Sequence, residues 1–107
     1  MSILSITPGE ALVEAGGHTA QAPAKLQTDQ AVNITADSDG SAFPTLENGG
    51  TPDYYMITTN GAMHVKFKVS ETNAEGVAAA DTLLPSGTIL FLGGTDLVGL
   101  FAAKLDI

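Results

Sequence analysis

The chain has no cysteine, no arginine and no tryptophan among its 107 residues. Without cysteine it can form neither a disulfide nor a thiolate-ligated metal site. Its only cations are Lys25, Lys66, Lys68 and Lys104, set against twelve acidic residues for a net charge of −8. Nucleic-acid binders cluster cations against phosphate, and here only Lys66 and Lys68 are close in sequence. No nucleic-acid partner is expected. Apolar runs as long as a bilayer span are also missing, so no membrane partner is expected. The first residues lack the basic and apolar regions of a signal peptide, which makes a cytoplasm the expected place of synthesis.

The residues of common catalytic and metal sites are equally scarce. His18 and His64 are the only imidazoles, and a zinc site needs three or four ligands. Asp37-Ser-Asp-Gly40 opens like a calcium loop but lacks the later acidic positions; it reads as a turn in which Asp and Ser bond their own backbone. Asn33-Ile34-Thr35 fits a glycosylation sequon without a secretion signal to give it meaning. There is no Gly-x-Ser-x-Gly elbow and no Gly-rich phosphate loop before a helix. The expectation is a protein that is not an enzyme and holds no metal or cofactor.

What the chain does have is apolar content, 44%, with twelve Gly and five Pro spread along it. That composition suits one domain over residues 1–107, built of short strands joined by turns. The fold class expected is all-β, an antiparallel sandwich or barrel of about seven to eight strands. Residues 2–6 and 11–14 read as strands around a Pro8-Gly9 turn. Gly16-Gly17 offers a second turn, and Ala22-Pro23-Ala24 an extended linker. Gln30–Thr35 alternates as a half-buried strand. Residues 37–53 are dense in turn formers, and a loop of that length is expected to be a flexible, partner-contacting arm; Phe43 and Leu46 are its large apolar residues.

Asn60-Gly61, between two β-prone runs, is a strong hairpin signal. A two-residue turn there would put Tyr54, Met56, Thr58, Met63, Val65 and Phe67 on one buried face. Tyr55, Ile57, Thr59, His64, Lys66 and Lys68 would then face outward, with Gly61 at positive φ. The outward Tyr55, Ile57 and His64 join Phe43 and Leu46 as candidate partner-contacting residues. Val77–Asp81 fits either a strand or a helical turn. Leu83-Leu84-Pro85-Ser86-Gly87 reads as an apolar corner, and Thr88–Leu92 as a strand buried on both faces. Gly93-Gly94 reverses the chain into residues 96–102, and the terminal residues 103–107 alternate with Leu105 and Ile107 inward.

The segments Tyr55-Met-Ile-Thr-Thr-Asn-Gly-Ala-Met-His-Val-Lys-Phe67 and Ala79-Ala-Asp-Thr-Leu-Leu-Pro-Ser-Gly87, with the apolar strands that follow to Ile107, resemble small virion structural proteins of tailed bacteriophages. Such proteins often carry Gly after the matching Phe, where this chain has Lys68. The resemblance spans about half the chain. It implies a non-enzymatic capsid decoration (cement) protein on the virion surface, with the major capsid protein or other virion proteins as partners. The alternative it implies is a repeated component of a neck, tail or fibre. A homo-oligomer, with a trimer favoured, is expected from the apolar outward face of the hairpin. The alternative expectation is a small β-sandwich module for carbohydrate or a host surface, with Tyr55 as its stacking ring.

Overall fold

The computed structural model describes residues 2–10, 12–13, 19–20, 26–35, 41–69 and 82–107. His18, the Gly16-Gly17 and Asp37–Gly40 turns, the Ala22–Ala24 linker and residues 70–81 lie outside the described residues. The strands are β1 (Leu4–Gly9), β2 (Leu12–Val13), β3 (Thr19–Ala20), β4 (Val32–Ile34), β5 (Ser41–Ala42), β6 (Tyr54–Thr59), β7 (Met63–Val69), β8 (Thr82–Leu84), β9 (Ile89–Gly93) and β10 (Phe101–Asp106). A single helical turn, α1 (Gly94–Leu97), joins β9 to β10. No described helix is long and apolar enough to cross a membrane.

Eight of these strands form two antiparallel sheets, ordered β4-β1-β6-β9 and β5-β10-β7-β8, and β2 pairs with β3 in a short ribbon. The protein is an all-β sandwich. The sheets are linked by chain crossings that keep one order: β4 leads to β5, β6 to β7, and β8 to β9. The remaining strands, β1 and β10, hold matching places, and the Ser2 N–H donates to Asp106 Oδ2 at 3.3 Å where their ends meet. With β1 standing where an eighth strand would follow β10, this is the strand order of a jelly roll. The crossing at 60–62, the corner at 85–88 and the Ser2–Asp106 contact share one end, tied by hydrogen bonds from Asn60 to Ile3 and from Gly87 to Thr59.

This topology corrects the expected hairpin. β6 and β7 belong to different sheets, so Asn60-Gly61 lies in an arch between sheets rather than a two-residue turn within one. On β7 the expected faces hold, with Met63 and Val65 buried. On β6 they are exchanged: Tyr55, Ile57 and Thr59 are buried, while Tyr54, Met56 and Thr58 are half-buried on the outer face. The reason is geometric. Strands that fold over one another across an arch must both aim side chains at the gap between the sheets, whereas strands of one hairpin share a face by direct pairing. Gly61 accordingly is not among the described glycines at positive φ, which are Gly49, Gly87 and Gly99. A Cβ at Gly61 would instead collide with the Ser2 side chain.

Three other expectations change. β1 runs straight through Pro8-Gly9. Pro8 is tolerated in this central strand because its side of β1 has run past β4; only its carbonyl is used there, accepting from Gln27 N–H at 3.0 Å. A missing N–H is harmless where no ladder acceptor waits. The strand at Ile89–Gly93 is not buried on both faces but lies at a sheet edge, with Ile89 65% and Phe91 50% exposed. In β10 the inward side chains are Ala102, Lys104 and Asp106, while Leu105 lies opposite the outward His64 and Ile107 is 74% exposed. Lys104 is fully buried, and its Nζ meets Asp106 Oδ1 at 2.9 Å. A lysine enters a core only when its charge is compensated and its methylenes pack.

The core is Leu4, Ile6, Ile34, Tyr55, Ile57, Met63, Val65, Leu84 and Leu97, closed at the loop end by Phe43. The described part of the expected arm is anchored. Phe43 is packed against the rings of Tyr55 and Phe67 at centroid distances of 5.0 and 5.9 Å, and its N–H donates to Leu100 C=O. Leu46 is buried, and a turn with Gly49 at φ 81° closes Leu46–Gly50.

Candidate interaction surface

Of the five residues singled out as partner-contacting, Phe43, Leu46, Tyr55 and Ile57 are buried and cannot meet a partner on this fold. Tyr55 is fixed twice over. Its ring packs against Phe43, and its hydroxyl donates to Pro44 C=O at 2.6 Å. Burial pushes its pKa up to about 12, and no sugar ring can reach it. Only His64 retains some exposure, on the outer face of the second sheet between Leu83 and Leu105.

The register places a different set of residues together. Across the outer face of the first sheet, Ser5, Thr58 and Ile89 form one row, and Thr7, Met56 and Phe91 the next. The third row is Gly9, Tyr54 and Gly93. None of these nine residues is charged. The Tyr54 ring lies over Gly9, where a Cβ would stand 2.5–2.7 Å from the ring, and meets Phe91 edge-on at a centroid distance of 5.7 Å. Partial burial, followed by the charge of Asp53, holds the Tyr54 pKa above its ordinary value. The result is an uncharged floor of mixed hydroxyl and apolar groups, with Phe91 and Ile89 its most exposed large apolar side chains. A surface of this kind contributes by removing apolar area from water, about 25 cal/mol per Å², and suits a protein or lattice partner more than a small polar ligand.

A second feature is an open cavity of about 270 Å³ at the loop end, between Phe67 of one sheet and Leu92 and Gly93 of the other. α1 closes its side with Leu97, and Asp96 is the one charged group among its described lining residues. Among the described residues no three His, Asp or Glu are placed to hold a metal.

Sequence reasoning missed Tyr54, Met56, Ile89 and Phe91 because it put the first two inside and treated the strand of the others as central. The signal was present only in the uncharged stretch from Thr82 to Thr95, whose exposure depends on which sheet edge receives it. Comparisons with protein-family models, with curated proteins and with solved structures find no match to this chain.

Proposed function

We propose that this chain is a non-enzymatic structural component of a bacteriophage virion, a capsid decoration protein that binds the shell through its outer sheet face. The observation that carries this reading is the uncharged floor of Tyr54, Met56, Thr58, Ile89 and Phe91 on a strongly acidic protein. Apolar burial against neighbouring subunits gives such a surface its use, and the surrounding acidity keeps free copies soluble. Two further facts support it. The segments that resemble virion proteins include β6, β7, β8 and β9, the strands that build this floor and its support. The bulge in the β7–β10 ladder leaves Lys68 without an opposite residue, at the position where the resembled proteins carry Gly; glycine is favoured at such irregularities. A jelly-roll order is also used by viral capsid domains, although fold alone assigns no function.

The partners on this reading are the major capsid protein and other virion proteins. The test is quantitative mass spectrometry of virions purified from the genome that encodes the chain. A decoration protein is expected at a copy number comparable to the shell subunit. A few copies per particle would move it to the neck, tail or fibre, and its absence from particles would end the proposal.

A second reading, a carbohydrate or host-surface module, rests on the exposed Tyr54–Phe91 edge pair in place of Tyr55. Glycan-array binding lost on Tyr54→Ala would favour it.

A further inference from the structure

Each sheet has two edges, and proteins guard such edges against pairing with another chain by keeping them short, charged or interrupted by Pro. Three of the four here are short: β4 and β8 have three residues each and β5 has two. β9 has five, Ile89-Leu-Phe-Leu-Gly93, with neither charge nor Pro. Its unguarded side can be read from the hydrogen bonds. At one end the Thr59 N–H donates to Thr88 C=O, and at the other the Gly94 N–H donates to Asp53 C=O, both at 3.1 Å. Backbone groups alternate in direction along an antiparallel strand, so Leu90 and Leu92 serve β6. The N–H and C=O groups of Ile89, Phe91 and Gly93 point to the free side.

We infer that β9 is a self-association edge, on which a second copy of this chain pairs antiparallel about a two-fold axis at Phe91. The occupant is specified by the strand's own symmetry. An axis at Phe91 makes Phe91 and its counterpart a hydrogen-bonded pair, and it sets Ile89 opposite Gly93 on each side. The large side chain thus meets the residue that has none, and a Cβ built on Gly93 finds nothing within 4 Å, leaving room for it. Charge points the same way. Two chains of net charge −8 repel, and the stretch from Thr82 to Thr95 is a place where they can touch without opposing like charges. Pairing extends the first sheet of each copy into one eight-stranded sheet with a continuous outer floor. An isologous contact of this kind closes at two copies, not at the three expected from the sequence. The inference does not depend on the virion reading.

Sedimentation equilibrium and amide exchange test it on the intact chain. The wild-type mass is expected to rise with concentration toward twice 10.9 kDa across the micromolar range. Exchange of the Ile89, Phe91 and Gly93 amides should slow in parallel, while those of Leu90 and Leu92 are protected throughout. Phe91→Lys, which opposes two lysines at the axis while lowering the overall repulsion, and Gly93→Val, which fills the space for Ile89, are each expected to give a monomer with an unchanged circular dichroism spectrum. A wild-type chain that remains monomeric overturns the inference, as does a trimer. A dimer that survives both substitutions, or concentration-independent exchange at the three amides, also overturns it.

Discussion

Replacing Ile57 by Ala, and separately Met56 by Ala, tests the arch between β6 and β7 directly. Ile57 has no exposed surface and sits in the main core between the sheets. The substitution removes three methyl or methylene groups, about 2.4 kcal/mol of transfer free energy at ~0.8 kcal/mol each. The cavity left in a packed interior adds to that, giving about 3–4 kcal/mol in all. A domain of this size has about 5–15 kcal/mol of total stability, so the midpoint of thermal unfolding should fall by about 15–25 °C. Met56, one residue along, lies half-buried on the outer face, and its truncation should cost no more than about 1 kcal/mol. Urea titration at one fixed protein concentration, followed by circular dichroism, measures both, with an unchanged slope confirming a shift in stability alone. The reasoning fails if Met56→Ala proves the more damaging change. β6 would then present its other face to the core, as in a two-residue hairpin with β7.

Two further outcomes follow from the buried polar groups. Asp106→Asn removes the carboxylate from a fully buried Lys104; because Asp106 is 28% exposed, the cost should fall near the low end for a broken buried pair, about 3 kcal/mol, and Lys104→Met in the same background should recover much of it in a urea titration. The Tyr55 pKa is raised to about 12 from 10.0, so the folded state favours the neutral phenol; its contribution to stability is complete below pH 10 and is lost as pH rises from there through about 12. Absorbance titration of Tyr54→Phe should show the remaining tyrosine ionising near pH 12, and Tyr55→Phe should flatten the decline of stability over that window. A Tyr55 that ionises near pH 10 would refute the assignment.

The class of fold was legible because its signals are local. Glycine and proline mark the strand ends, and Leu84-Pro85-Ser86-Gly87 does form a corner, with Gly87 at φ 81° and Thr88 N–H returning to Pro85 C=O. Strand faces were less legible. In β6 the sets Tyr54/Met56/Thr58 and Tyr55/Ile57/Thr59 are almost equally apolar, so alternation cannot choose between them. The choice is made by Thr59. Its hydroxyl donates to Pro85 C=O at 2.7 Å and accepts from Thr88 N–H at 3.1 Å, which turns the odd residues inward. β10 misled for the opposite reason: its pattern favours Leu105 inside, and the Lys104–Asp106 pair overrides it. The interaction surface was the least legible part. Whether Ile89 and Phe91 are core or surface depends on which face of the first sheet they take, a property of topology that no neighbouring residue encodes.

Placing β1 and β10 in the middle of their sheets has a consequence for how the chain acquires its structure. β1 is flanked by β4 and β6, and β10 by β5 and β7. β1 leaves the ribosome well before its partners β4 and β6, the paired residues of Leu4 being Ile34 and Thr59, and must wait for them. The second sheet, meanwhile, lacks its middle until residues 101–106 have emerged. Neither sheet can be completed from neighbours in sequence, β7 and β8 being the one consecutive pair within them, and the Ser2–Asp106 bond closes a loop of nearly the whole chain. Domains dominated by such distant pairings fold in milliseconds to seconds rather than microseconds. Until the first sheet has closed on β6, the apolar Ile89–Gly93 strand is uncovered, which makes the interval before folding the time of greatest exposure to aggregation.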